Sequence, residues 1–204
     1  MKLMFGLAAL LLALPLRLAF GVDPAPAPAE RPAPKVGDVY EYAEKYQTVS
    51  CKRWEVKEIK EGMIVSRCGE NTAYVSAENG NIVRIVAGDG KSLDEFKPYF
   101  PYLAFPMKIG KTWSAKYNGF TAIDGYTWDS NVTCEVKAFE KVKVPAGELP
   151  AYRIECKDSW QVGGFSGTDA STHWYSPAAQ AVVKVASPER DKWNSELTSF
   201  TAKR

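Results

Sequence analysis

The chain reads VTCEVKA at residues 132–138 and YRIECK at residues 152–157. In both stretches, apolar side chains alternate with charged or hydroxyl-bearing ones, which is the period of a β-strand with one buried face. Between them lies the sequence VPAG at residues 144–147. Its proline presets the start of a tight turn, and its glycine suits the end. The sequence therefore predicts neighbouring strands with one apolar side, and this pattern decides the fold class.

Similar strand patterns occur along most of the chain that follows residue 37. The Asn79-Gly80 dipeptide is a strong signal for a tight turn between two strands. Only residues 92–96 have a helical pattern, with Ser92 as the N-cap. Regular short strands separated by turns predict an antiparallel sheet, barrel or sandwich. The predicted strands cover residues 38–42, 54–56, 63–65, 72–76, 81–86, 125–138, 150–161, 172–175, 181–186 and 195–203.

The N-terminal residues predict export. A short positive start is followed by an apolar run over residues 4–16, and Ala19 and Gly21 are the small residues that a signal peptidase reads. We expect a signal peptide at residues 1–21, cleaved before Val22, and a periplasmic or secreted protein. The apolar run is shorter than the roughly 20 residues that cross a bilayer, so no transmembrane span is expected after cleavage. An uncleaved anchor is the alternative.

Residues 22–36 alternate prolines with alanines. Such a composition favours an extended polyproline spacer that buries no core. We therefore expect a solvated Pro/Ala-rich linker, followed by a single β domain over residues 37–204.

The charge balance excludes a nucleic-acid partner. The chain has 26 Lys and Arg against 24 Asp and Glu, and removing the signal peptide takes away Lys2 and Arg17 but no acid. The remaining chain is formally neutral, whereas a nucleic-acid-binding domain is expected to carry a net basic surface.

Four cysteines in an exported chain predict two disulfides. A zinc site is not expected, because there is one histidine and no Cys-x-x-Cys pair, and no cofactor is expected. Cys134 and Cys156 lie on the apolar sides of neighbouring strands and form the safer pair. Cys51 and Cys68 are left as the second pair, but a three-residue turn at residues 60–62 would place them on opposite faces. That pair needs a bulge, or the pairing is different.

No motif predicts a catalytic residue. Residues 88–92 lack the first glycine of a phosphate loop, and residues 164–168 lack the last glycine of a nucleophile elbow. Asp124, Asp129 and Asp158 have no spacing that defines an acid–base pair. We therefore expect a protein that is not an enzyme.

Aromatic residues are the main compositional excess, at 12% of the chain. One interpretation is that they fill the concave side of a curved sheet. The other is that some of them line an apolar cavity or the mouth of the sheet. The candidate ligand-binding residues are Phe105, Trp113, Tyr126, Trp128, Trp160 and Trp174.

An ordered series of short motifs carries a resemblance to a known family. It comprises FPM at residues 105–107, GKTW at 110–113, VKVPAG at 142–147, WYSP at 174–177 and VVK at 182–184. Over about residues 99–200 the chain resembles a TapB-like family of exported bacterial domains. The resemblance implies a mainly β fold, a curved antiparallel sheet or open (half) β-barrel with at most one or two short helices, similar to lipoprotein carriers and receptors. It implies no catalytic residues, and it does not include the cysteines or the linker.

Two functional hypotheses follow. The first is a binding or carrier domain for an apolar ligand or lipidated partner in the cell envelope, which requires an open apolar concavity. The alternative is a structural or protein-interaction module with a filled core and no small-molecule ligand.

Overall fold

The computed structural model describes residues 26–44, 51–190 and 193–203. These residues form twelve β-strands. The strands are β1 (Val39–Glu44), β2 (Arg53–Lys60), β3 (Met63–Cys68), β4 (Asn71–Ser76), β5 (Ile82–Val86), β6 (Ser92–Lys97), β7 (Thr112–Thr121), β8 (Tyr126–Val144), β9 (Gly147–Val162), β10 (Phe165–Ser176), β11 (Ala181–Ala186) and β12 (Ser195–Thr201). Among the described residues, no helix has the length and apolarity needed to cross a membrane.

The sheet is closed. Each strand pairs with its neighbours along the chain, and β1 also pairs antiparallel with β12, from Val39 opposite Thr201 to Glu44 opposite Ser195. The mainly β, antiparallel prediction is confirmed, but the open or half barrel is wrong. Closure pairs the first strand with the last, which removes both sheet edges.

The predicted hairpin is confirmed as β8 and β9, whose strands are 19 and 16 residues long. Cys134 lies directly opposite Cys156, and the two form a disulfide with their Cα atoms 4.1 Å apart. Both side chains are buried in the core on the inner face of the barrel. This position follows from the alternation, since residues two apart share a face.

Cys51 and Cys68 form the second disulfide. The predicted turn is wrong in length, because Lys60 pairs with Met63 and only Glu61 and Gly62 form the loop. Both loop residues have positive φ, of 51° and 75°, as a tight two-residue hairpin turn requires. A bulge, one of the two alternatives that the sequence left open, is present in β2, where the register with β3 shifts between Val56 and Glu58.

The helix predicted at residues 92–96 is wrong, because this segment is strand β6. Asp94 and Phe96 are buried, whereas their neighbours in β6 are not. Pairing with β5 and β7 on either side stabilises the extended form. These long-range backbone pairs override the local N-cap signal of Ser92.

Residues 26–36 lie against the barrel, and we call them the N-terminal strap. Ala29 exchanges two backbone hydrogen bonds with Met107, at 2.8 and 2.7 Å. Tyr152 Oη donates to the carbonyl oxygen of Ala27 at 2.6 Å, and the Ala33 N–H donates to Gln180 Oε1 at 2.9 Å. The strap is therefore hydrogen-bonded to the barrel, although most of its side chains are exposed, and the linker at residues 22–36 stays a prediction. Residues 22–25 and the predicted signal peptide at residues 1–21 lie outside the described residues.

The connection between β6 and β7, residues 98–111, packs against the inner face of the barrel, and we call it the inner loop. The Asn81 side chain binds the backbone of Leu103 twice, at 2.9 and 3.0 Å. Trp113 Nε1 donates to the carbonyl oxygen of Pro101 at 2.9 Å. Met107 is fully buried beneath the strap. The inner loop fills part of the barrel interior and leaves the rest as a cavity.

Candidate functional site

A cavity of about 340 Å³ lies inside the barrel, between the inner faces of β1–β6 and β10–β12. This volume is at the lower end of the range of small-molecule sites. The inner loop and Pro32 and Pro34 of the strap complete its wall. Most of the lining is apolar, and its large members include Tyr40, Trp54, Ile64, Phe96, Phe100 and Val182.

Strand alternation places the lining side chains. In β3, Ile64 and Ser66 line the cavity, and the exposed Arg67 is on the other face. In β5, Ile82 and Ile85 both line it although they are three residues apart. The register with β4 shifts between Tyr74 and Val75, opposite Arg84 and Ile82, so a bulge restores the inward direction of both isoleucines.

His173 is the one histidine of the chain, and it is buried in the cavity wall. Its ring stacks on Tyr102 of the inner loop, with centroids 4.8 Å apart and planes 10° from parallel. Its Nε2 shares a hydrogen bond of 3.0 Å with Ser171 Oγ. Burial lowers the pKa of His173 to about 4, because the imidazolium cannot be hydrated there. The ring is therefore neutral at pH 7.

Three tyrosines of the wall stay protonated well above neutral pH. Burial raises the pKa of Tyr40 and of Tyr102 to about 12. Burial also raises the pKa of Tyr175, and the proximity of Tyr40 adds to that shift. None of these three hydroxyls makes a hydrogen bond within residues 26–44, 51–190 and 193–203. The wall therefore offers three phenolic donors to its interior.

The six aromatic residues predicted from the sequence lie outside the described lining of this cavity. Phe105 makes an edge contact with Tyr175, with centroids 5.1 Å apart, and Trp113 holds the inner loop as described above. Trp174 is on the opposite face of β10 from His173, where its Nε1 donates to Glu140 Oε1 at 2.9 Å. Phe105 and Trp113 thus contact residues of the cavity wall and the inner loop without lining the cavity, and Trp174 belongs to the outer face.

Trp128 and Trp160 lie against glycines of the paired strands. A Cβ on Gly119 would be 2.3 Å from Trp128 Cζ2, and a Cβ on Gly167 would be 2.4 Å from Trp160 Cζ2. Tyr126 is 40% exposed at the end of β8 and contacts Trp128 edge-on. These three residues follow the inner face of the β8–β9 hairpin toward one end of the barrel. Their role in ligand binding stays a prediction.

A polar cluster lies on the same inner face, next to Trp160. Tyr117 Oη donates to Asp158 Oδ2 at 2.5 Å, and Arg190 forms an ion pair with Asp169 at 2.5 Å. Burial raises the pKa of Asp158. The Arg190 guanidinium is 5.7 Å from the Trp160 ring centroid and 5.8 Å from that of Trp193, which lines the cavity.

The cavity residues that sequence reasoning missed fall into two groups. His173 and Tyr175 share the parity of the inner face of β10, so correct strand boundaries would have placed them inside. Tyr102, by contrast, is in the inner loop, where no periodicity marks its direction. Only the three-dimensional fold brings Tyr102 onto His173.

The comparisons with known proteins concern the fold. No family model and no curated protein matches the chain. The hypothetical lipoprotein YmcC from Escherichia coli matches with a TM-score of 0.52 and 12% identity, over 82% of this chain and 87% of that one.

Two further solved structures match with lower TM-scores. A protein of Bacteroides fragilis, inferred to be exported and with a YmcC-like fold, matches with a TM-score of 0.45; an inferred lipoprotein of Parabacteroides distasonis matches with 0.48. Each is 12% identical, over 86% of this chain and 100% of its own. The match to YmcC shows that this chain shares its fold.

Proposed function

We propose that this chain is a non-enzymatic binding or carrier protein of the bacterial cell envelope, periplasmic or secreted, that holds an apolar ligand or the lipid group of a partner. The single observation that carries the proposal is the apolar cavity of about 340 Å³ inside the closed barrel. A barrel with a packed interior would serve structure alone, whereas an apolar space of this size can take a small ligand. The finer TapB-like assignment belongs to the same proposal and is supported by the VPAG and WYSP motifs.

The arrangement of the wall supports binding rather than chemistry. Four of its titratable groups are held in their neutral forms, with His173 unprotonated and Tyr40, Tyr102 and Tyr175 protonated. A general acid or base works best when its pKa is near the working pH. These four pKa values are moved away from neutrality, so the wall suits recognition by shape and hydrogen bonding.

One observation favours the alternative of an interaction module. Phe165 is 75% exposed beside the β9–β10 turn, and Ile123 and Tyr126 are 42% and 40% exposed at the β7–β8 turn. Both turns lie at the same end of the barrel, because strand connections alternate between ends. Exposed apolar side chains of this kind mark protein or membrane contacts. Since closure leaves no free sheet edge, such contacts would be made by these turns.

Native mass spectrometry of protein purified from the periplasm, with lipid extraction of the same sample, separates the two functions. The proposal predicts a bound apolar molecule that is released by organic solvent. A ligand-free spectrum together with a co-purifying protein, lost in a Phe165→Ser variant, would favour the interaction module.

A further inference from the structure

We infer that the cavity selects an uncharged apolar molecule that carries a hydrogen-bond acceptor, of the ester or ketone class, and that Tyr102 and Tyr175 donate to its oxygen. This inference deepens the proposed function and rests on it. It follows from the lack of stabilisation for charged groups in the cavity wall and from the hydrogen-bond donors of the wall that have no acceptor in the described chain.

The wall disfavours negative charge. Burial raises the pKa of all three lining tyrosines, which means that a phenolate is poorly stabilised at each of these positions. A ligand carboxylate in the same space would meet the same loss of hydration. No lysine or arginine belongs to the described lining, so no cation there would compensate it.

The wall also disfavours positive charge. Burial lowers the pKa of His173 to about 4, so an imidazolium is as poorly stabilised as a phenolate. Asp94 could attract a cation, but it already has an interaction within the structure, and it is 2% exposed. A ligand without net charge is therefore the class that this wall accepts.

The wall is not inert toward neutral polar atoms. Tyr102 and Tyr175 line the cavity, and neither hydroxyl has a hydrogen bond among the described residues; His173 Nδ1 is buried without a partner in the described chain. An acceptor oxygen on the ligand would give these hydroxyl donors a partner inside the cavity. A pure hydrocarbon would fill the space but leave these donors unpaired.

The experiment compares three ten-carbon probes that differ only in the head group: methyl decanoate, decanoate and decyltrimethylammonium. Each probe competes with the fluorescent neutral probe N-phenyl-1-naphthylamine for the full-length protein at pH 7. We expect methyl decanoate to displace the dye at a concentration at least about tenfold lower than either charged probe. Equal or tighter binding of decanoate, or of the ammonium, would overturn the inference.

Variants test the two donors. Tyr102→Phe and Tyr175→Phe should each weaken methyl decanoate binding about threefold to tenfold, which is the net effect of one hydrogen bond. The control is Tyr74→Phe, because Tyr74 lies under Arg84 on the outer face and should have no effect. Unchanged ester binding in folded Tyr102→Phe and Tyr175→Phe proteins would also contradict the inference. Failure of the dye to bind would contradict the proposed function. Binding of the dye, with no preference of the protein for the ester over the charged probes, would contradict only the inferred ligand class.

Discussion

The indole of Trp160 lies in the space that a side chain at Gly167 would occupy. The two residues are directly opposite each other in β9 and β10, and a Cβ on Gly167 would be 2.4 Å from Trp160 Cζ2. Trp128 and Gly119 repeat the arrangement in β7 and β8. In both pairs a large ring covers the bare backbone of its partner, as aromatic residues do over glycines in curved sheets.

Gly167→Ala should therefore destabilise the barrel by about 1–3 kcal/mol, since the methyl group forces the Trp160 ring out of its site. Denaturant unfolding measures the loss. In a Trp160→Ala background the same substitution should cost nothing, because the obstructing ring is gone. Equal costs in both backgrounds would show that the two side chains are not coupled.

The buried His173 predicts a pH dependence of stability. Its folded pKa of about 4 lies below the ordinary value of 6.5, so the unfolded chain binds the proton more readily. The stability that the neutral ring contributes is fully present above pH 6.5 and is lost as the pH falls toward 4. The contribution is about 3 kcal/mol.

The His173→Gln variant isolates this effect when unfolding free energies are measured between pH 5 and 7. The wild-type protein should lose more stability than the variant across this range. Asp158 changes the free energy of unfolding in the opposite direction. Burial raises its pKa, so its contribution to stability decreases as the pH rises. Both proteins contain Asp158, so its effect is the same in the two curves. Parallel curves for the two proteins would contradict the burial of a neutral His173.

Each disulfide should stabilise the barrel by restricting the unfolded chain. The Cys51–Cys68 and Cys134–Cys156 bonds span 17 and 22 residues, which corresponds to about 3 kcal/mol each. We expect Cys51→Ala with Cys68→Ala to lower the free energy of unfolding by about this amount. The Cys134→Ala with Cys156→Ala protein should lose more, because those side chains are also part of the core. A larger decrease in the free energy of unfolding on removal of the Cys51–Cys68 bond would contradict the larger contribution expected from the buried Cys134–Cys156 pair.

The N-terminal strap should control access to the cavity. Ala29 is buried against Met107, whereas Ala33 of the same segment is exposed. Ala29→Asp should release the strap, because the carboxylate would be buried without a partner. Limited proteolysis should then cleave within residues 26–36, and a bound dye should dissociate faster. Ala33→Asp is the control, and identical proteolysis of both variants would contradict a seated strap.

The sequence predicted the parts of the fold that depend on local patterns. The β8–β9 hairpin and its disulfide follow from alternation within two strands, whereas the bulge in β2 was one of two alternatives that the sequence left open. Closure was not predictable, because the pairing of Val39 with Thr201 has no local signature. Strand β6 was predicted as a helix since its pairing with β5 and β7 is not visible in residues 92–96.

The candidate site was harder to predict for a related reason. The sequence singled out aromatic residues as a class, but it does not show the glycine partners of Trp128 and Trp160, which only the strand register reveals. The strap was predicted to be solvated because its alternating prolines favour an extended form. Most of its side chains are exposed, and its backbone also places Pro32 and Pro34 on the cavity side.

The binding of a neutral apolar dye inside the barrel tests the central claim most directly. Ser66 faces the cavity and its neighbour Arg67 faces outward, so Ser66→Phe fills the cavity while Arg67→Phe adds the same ring outside. Titration with N-phenyl-1-naphthylamine should give saturable one-to-one binding to the wild-type and Arg67→Phe proteins, and Ser66→Phe should weaken it at least about tenfold. Unchanged binding to a folded Ser66→Phe protein, or no saturable binding to the wild type, would contradict a ligand cavity.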